Sequence, residues 1–308
     1  MAGIAMTRMR GAAIILAMLI AALAAAVAAT VFADQQRWVR MVEHRRDQVQ
    51  AQALAMAGVQ WTRQILDDDA RRSELDHLGE TWALTLPPIP MEDGEVRGAI
   101  VDAQGLLNIN ALGAADAGAE QERARLARMF AQRGMPPAAL AAMSDWVDAD
   151  SAAGASGGED AFYLAQPVPR LAANAPVLRV AELGLVKDVT PQMLAAVLPF
   201  LSALPVGTPV NVNTAPREVL AAILGNISGE SLGALVADRA RKPFTTIAEF
   251  RSRLPDSASL ASDVALSVRS NYFYVTIQAR QGATRSHARA LIRRGGGGKP
   301  EIVWQVVE

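Results

Sequence analysis

The sequence predicts an α+β fold: one long N-terminal helix packs on a small antiparallel sheet, and a large helical insertion interrupts that sheet. Three observations point to it. No residue from Gly11 to Ala33 is charged, and apolar positions then recur at helical spacing up to about Leu66. Strand-like segments stand on both sides of a long interval, near 94–110 and again after 263. Between them, residues 111–262 read as short helices punctuated by proline and glycine.

Composition bounds the function. The chain has 308 residues, 51% of them apolar, enough for about two domains with a real core. Its 30 basic and 31 acidic residues nearly cancel, which disfavours a bulk electrostatic hold on nucleic acid without excluding a local patch. There is no cysteine, so disulfides, thiolate catalysis and Cys-type zinc sites are excluded. An oxidising compartment stays open, because a large core needs no covalent staple.

The helix comes first. At ~1.5 Å per residue the charge-free run is ~34 Å long, enough to cross the hydrocarbon core of a bilayer. Arg8 and Arg10 precede it with no acid beside them, which by the positive-inside rule keeps the N-terminus cytoplasmic and the bulk outside. Arg37 and Arg40, close behind the run, weaken that asymmetry. The small residues of ALAAAVAAT leave a cleavable signal open, with a cut near Ala29. Against it stand the length of the run and its continuation: Trp38, Met41, Val42, Val49, Ala53, Met56, Ala57, Trp61 and Ile65 recur at spacings of three, four and seven. Trp38 and Trp61 on this face are expected to be core or subunit contacts.

Pro87 to Asp93 reads as a connector, and GEVRGAIVDAQGLLNINAL (Gly94–Leu112) as a hairpin turning at Gln104-Gly105. Helices are predicted over 119–133, with Gly134 past the end, and from Pro136-Pro137 to about Val147. Residues 150–160 form a loop, and short helices follow over 180–185, 190–201, 215–224, 230–240 and 246–254. Thr246-Ile-Ala-Glu249 is a capping box. An internal repeat runs through this block. Pro176–Leu183 (PVLRVAEL) and Pro243–Phe250 (PFTTIAEF) share the pattern Pro-φ-x-x-φ-Ala-Glu-φ, where φ is apolar, and Asn108–Asn110 (NIN) recurs as Asn211–Asn213 (NVN). Two short helices entered by proline would also look alike. From Val264 onward β-branched and aromatic residues return, with Gly295–Gly298 as a flexible link.

A short basic leader ending in glycine, a charge-free apolar helix and an amphipathic continuation resemble the class III signal of type IV pilins and type II secretion pseudopilins. DAQGLLNINAL, DWVDAD…GGEDAFYLAQPVPRLAANAPVLRVAELGLV and LPVGTPVNVNTAPREVLAAIL with its downstream KPF narrow the resemblance to the minor pseudopilin K family, general secretion pathway protein K. The resemblance implies a prepilin leader over 1–11, cut by prepilin peptidase between Gly11 and Ala12, and a transmembrane helix over 12–33. It implies a pilin-like domain over 34–110 and 263–308, with a SAM-like or helix-hairpin-helix-like insertion over 111–262. It implies a bitopic inner-membrane protein with a periplasmic body. Its place would be the tip of a type II secretion pseudopilus, with minor pseudopilins I and J and the other pseudopilus subunits as partners. Most pseudopilins carry Glu at the fifth mature position, where it pairs with the N-terminal amine of the subunit above; this chain has Leu16 there. A buried carboxylate without a partner is costly, so a subunit lacking it can stand first in the filament. Leu16 would equally suit the lipid around any single-pass anchor.

Three chemistries compete for the body. Asp145, Asp148, Asp150, Glu159 and Asp160 gather around a loop of small residues, and hard oxygen ligands of this kind suit calcium. Asp148, Asp150 and Glu159 hold positions one, three and twelve of an EF-hand count, but Ala152 and Ala153 occupy five and six, so a true EF-hand is not predicted. The family's association with calcium in its insertion makes a structural calcium the expected ion; a solvated acidic loop is the plain alternative. Residues 211–244 resemble a helix-hairpin-helix unit, with Arg239, Arg241 and Lys242 as a modest basic cluster, which leaves a membrane-tethered DNA-binding protein as one alternative. A minor pilin of a type IV pilus is the other. No nucleophile elbow, phosphate loop or His-Glu-x-x-His motif is present, and His44, His77 and His287 are scattered, so no catalysis is predicted.

Overall fold

A computed structural model describes residues 3–85, 87–114, 118–255, 258, 260, 265–295 and 298–308, with side chains described from Ala12 onward. The first element is a single helix, α1 (Gly3–Arg72), longer than the expected end near Leu66. Nine strands follow: β1 (Ile89–Met91), β2 (Gly94–Asp102), β3 (Leu107–Asn108), β4 (Leu201–Ser202), β5 (Val210–Asn211), β6 (Leu266–Ser267), β7 (Tyr272–Gln281), β8 (Thr284–Arg293) and β9 (Glu301–Val307). Among the described residues, seven α-helices lie between β3 and β6: α2 (Ala119–Gln132), α3 (Pro137–Val147), α4 (Asp160–Leu164), α5 (Pro191–Val197), α6 (Arg217–Leu224), α7 (Gly229–Arg241) and α8 (Ile247–Ser252).

The main sheet has the order β1-β2-β7-β8-β9 and is antiparallel throughout. Side chains alternate in the expected period of two. Phe273, Val275, Ile277 and Ala279 of β7, with Ala288, Ala290 and Ile292 of β8, are buried against α1. The helix meets them with Ala51, Ala55, Gly58, Val59, Thr62 and Leu66. Small residues one and two turns apart let the sheet come close: an added methyl on Gly58 would lie 2.7 Å from Ile277 Cγ2. This face is not the one that the apolar spacing picks out. Trp38, Met41, Val42, Val49, Met56 and Trp61 remain exposed.

The hairpin expected at Gln104-Gly105 does not form. After Asp102 the chain makes a 3-10 turn (Ala103–Gly105), and Leu107–Asn108 pairs in parallel with Leu201–Ser202 instead of returning along β2. The true neighbour of β2 is β7, with Asp102 opposite Phe273, and the segment read as a connector supplies the edge strand β1. Alternation around 107–110 misled because its polar members are not solvated. Asn108 and Asn110 are buried and satisfied by backbone. The end of β2 and the start of β7 lie side by side, so the long excursion between them costs the sheet little beyond loop closure.

The excursion builds its own apolar core, in which Leu126, Phe130, Met143, Trp146, Tyr163, Leu183, Phe244 and Phe250 are buried. Its helices start and stop where their signals stand. Gly134, at φ +69°, follows α2, Pro137 opens α3, Thr190 accepts from Met193 N, and Thr246 accepts from Glu249 N. Glu249 reaches back to Thr245 rather than to the cap residue. The predicted helix over 180–185 is 3-10, and that over 190–201 ends in a 3-10 turn and β4. Val264 and residues 296–297 of the glycine link lie outside the described residues, as do 261–263 around the expected end of the insertion.

The close packing of α1 on β7 is testable. Gly58→Leu is expected to destabilise the chain by roughly 1–3 kcal/mol through overpacking, and Ile277→Ala in the same chain to recover part of that loss. Urea denaturation in detergent measures both; additive losses in the double variant would reject the contact.

Candidate functional site

Three regions carry functional chemistry: the free helix face, the acidic loop, and a polar joint between sheet and body. From Ala12 to Arg46 every residue of α1 is exposed, including Leu16. The helix is long and apolar enough at this end to cross a bilayer. Exposed apolar residues continue past this segment through Trp38 and Met41 to Trp61.

The acidic loop spans the gap between α3, which ends at Val147, and α4, which starts at Asp160. It brings together Asp148, Asp150 and Glu159, whose carboxylate oxygens lie within 4.8 Å of one another. Asp145 stands behind them: its Oδ2 accepts from Gly154 N at 2.7 Å, and a methyl on Gly157 would collide with it. Asp160 is turned elsewhere, accepting from Ala172 N at 2.9 Å. The structure thus gathers three of the five predicted acids; Asp145 shapes the loop, and Asp160 holds the segment after α4. Asp148 Oδ1 and both Glu159 oxygens are buried without a hydrogen bond of normal geometry. Burial raises both carboxyls above their ordinary range. For Glu159 the Asn174 amide works against the rise, while Asp145, Asp148 and Asp150 add to it; for Asp148 the neighbours Asp150 and Asp145 add to it. Under-bonded oxygens of Asp148 and Glu159 beside the exposed carboxylate of Asp150 are a donor set that a hard divalent cation would satisfy.

The joint was not legible in the sequence. Asp102, buried at the end of β2, accepts from Gln104 N at 2.8 Å, Ser270 Oγ and Thr214 Oγ1 at 2.5 Å each, and Asn211 Nδ2 at 3.0 Å. Beside it Arg294 bridges Asp69 and Asp76 and donates to Ser270 O at 2.9 Å. Glu80 lies near, its Oε2 accepting from His77 N and Trp82 Nε1. Asp69, Asp76 and Glu80 also form a compact carboxylate group, but Arg294 already occupies it.

The two repeats prove equivalent at the level of hydrogen bonds. Asn108 Oδ1 accepts from Asn110 N, as Asn211 Oδ1 accepts from Asn213 N. Asn110 then clamps Val177 N and O at 2.8 and 3.0 Å; Asn213 clamps Phe244 N and O at 2.8 and 2.9 Å. Each clamp seizes the residue after the proline of its octet.

The basic cluster read as a nucleic-acid contact does not present three free cations: Arg241 and Lys242 are exposed but ion-paired, and Arg239 is buried. Arg239 is buried and donates to Val212 O and Ala215 O, while Arg241 and Lys242 pair with Asp238 and Glu249. The histidines do not converge: His44 lies 3.3 Å from Thr284 Oγ1, His77 accepts from Gly79 N, and His287 sits in β8.

Asp102 and Asp69 set a pH dependence. Burial chiefly raises both from 3.8 to about 6, with Glu80 adding to the rise of Asp69. Between those values the folded chain holds protons that the unfolded chain has released. Their contribution is therefore fully present below the unfolded value and is lost as pH rises through about 6. The stability advantage of the parent over Asp102→Asn is expected to shrink over this window, by up to ~3 kcal/mol for a fully expressed shift. Urea denaturation at stepped pH measures it; a pH-independent difference would contradict the assignment.

Comparison with known proteins agrees with these features. Residues 105–206 and residues 210–269 each match a family model described as type II secretion system (T2SS), protein K. Type II secretion system protein K of Pseudomonas aeruginosa is 31% identical over 305 residues, covering 95% of this chain and 91% of that protein. The protein of the same name from Pectobacterium carotovorum is 29% identical over 311 residues and 94% of each chain. The fold is similar to a chain in the crystal structure of the GspK-GspI-GspJ complex from the enterotoxigenic Escherichia coli type 2 secretion system. The TM-score is 0.76 at 22% identity, over 87% of this chain and 99% of that one. With its long apolar helix, pilin-type sheet and interposed helical body, this chain belongs to the type II secretion system protein K family, the minor pseudopilins of that machine.

Proposed function

We propose that the chain stands at the tip of the type II secretion pseudopilus, where it initiates or caps the filament together with minor pseudopilins I and J. The observation that carries this reading is the exposed apolar stripe of α1. Trp38, Met41, Val42, Val49, Met56 and Trp61 stay exposed, outside the row of small residues by which the same helix meets the sheet. A stripe of this width and length needs other helices to bury it, and it continues the bare anchor segment without a break. Leu16 is consistent with a leading position, because no carboxylate lies between Ala12 and Ala33 to seek an amine above it. The helical body supports the same end of the fibre. It leaves the sheet beside the C-terminal end of α1, opposite the anchor, where a packed shaft would have to exclude it.

In this reading residues 12–33 span the inner membrane, the N-terminus is cytoplasmic, and the body, corresponding to the insertion over 111–262, is periplasmic. Prepilin peptidase removes the leader after Gly11. The work is assembly and not catalysis. A structural calcium held by Asp148, Asp150 and Glu159 would neutralise the buried oxygens of the loop and fix α3 against α4.

Mass spectrometry of the membrane-extracted chain is expected to find a mature start at Ala12; a start near Thr30 would remove the anchor and this reading with it. Calcium is expected to raise the thermal midpoint of the chain, an effect absent from Asp148→Ala and Glu159→Ala. A parent protein insensitive to calcium rejects the metal site and leaves the tip reading standing.

A further inference from the structure

The turn between β7 and β8 rests on α1 at His44 and Asp47. Thr284 Oγ1 lies 3.3 Å from His44 Nδ1, and a methyl on Gly282 would come within 2.5 Å of Asp47 Oδ2. This is the anchor end of the sheet, since the helical rise places His44 only ~17 Å beyond Ala33. The outer face of the sheet at this end, away from α1, carries two cross-strand rows: Glu95–Arg280–Arg285 and Arg97–Gln278–His287. These six residues line one polar hollow. Arg280 and Arg285 are direct partners across the ladder, an arrangement of like charges that weakens a sheet. One carboxylate answers them, Glu95, 3.4 Å from Arg280. Arg97 turns to Gln278 Oε1 at 2.8 Å, and neither it nor Arg285 has an ion pair among the described residues. Nearer the anchor, Arg37 and Arg46 pair with Asp34 and Asp47, while Arg40 and Arg45 make no ion pair among the described residues.

We propose that this surface (Arg97, Arg280 and Arg285) docks on the anionic phospholipid headgroups of the bilayer that holds the anchor, leaning the head toward the membrane before the helix enters a filament. The inference rests on the membrane-anchor reading of α1. The tether supplies the partner, because it holds this edge of the sheet close beside the bilayer. Membrane helices tilt by ~20° on average and up to ~40°, and a lean toward the sheet side lowers this edge. The headgroup layer adds ~5–7 Å beyond the hydrocarbon, and the attraction acts over a Debye length of ~8–10 Å.

The chain lacks cysteine, so Ala283→Cys, at the exposed turn, gives a unique label on the full-length protein. Energy transfer from this label to headgroup-bound acceptors is measured in vesicles of phosphatidylcholine, alone or mixed with phosphatidylglycerol. Transfer is expected to be about twofold higher on the anionic bilayer and to fall to the neutral level in about 1 M salt, where screening shrinks to ~3 Å. The combined variant Arg97→Gln, Arg280→Gln, Arg285→Gln is expected to lose the difference at unchanged circular dichroism, and the corresponding lysine variant to keep it. Equal transfer on both bilayers, or a glutamine variant that behaves as the parent, overturns the docking. So does a midpoint raised by inorganic phosphate through these arginines with no dependence on lipid charge, which would make the hollow a soluble-anion site. Failure to float with either vesicle overturns the anchor reading and the docking together; flotation without lipid-dependent transfer overturns the docking alone.

Discussion

One buried carboxylate holds the architecture together. Asp102 sits where the chain leaves the sheet, and a carboxylate there is tolerable only if its oxygens are filled. The groups that fill them come from three places: Gln104 just beyond the strand, Asn211 and Thr214 from the middle of the helical body, and Ser270 where the chain returns to β7. Departure, body and return are therefore tied to one point. Arg294 extends the tie to the end of α1 through Asp69 and Asp76. A long insertion would otherwise hang on two loops; here it is seated on the sheet by hydrogen bonds that have no solvent substitute.

The long helix divides its surface between an internal and an external use. The sheet receives the small residues, because Ala51, Ala55 and Gly58 allow the strands to approach the helix backbone. The large apolar residues are left outside, where a monomer gains nothing from them. That allocation makes sense for a subunit whose helix must join others, and it explains why a hydrophobic pattern can be right about helix and wrong about core.

The helical body is built on a duplicated device. In each half an asparagine braces a second asparagine two residues on, which grips the backbone after a proline. The amide side chain satisfies both groups of the gripped residue at once, so it replaces a strand partner where the chain has none. The acidic loop lies in the stretch of chain that the first grip closes, between Asn110 and Val177. Its glycines, Gly154 and Gly157, keep the space that Asp145 needs to hold the loop in shape.

Much of this was legible in the linear chain. Charge absence from Gly11 to Ala33 defined the anchor, proline, threonine and glycine marked the helix ends, and the repeated octet with its asparagines announced an internal duplication. Asp145, Asp148, Asp150, Glu159 and Asp160 could be singled out because acids around one loop stay close in sequence, and three of them meet in space. The joint at Asp102, Asp69, Asp76 and Arg294 could not, because its members are up to 225 residues apart and each alone looks like a surface charge. The hairpin at Gln104 was misread for a related reason. Local alternation reports which residues are buried, not which strand covers them, and the partner of β2 begins at Tyr272. Sequence by itself determined the long apolar helix and the caps and stops of most helices of the body, which depend on near neighbours. Only the tertiary structure decided which face of α1 meets the sheet and which polar groups could be buried, since both depend on what lies opposite in space.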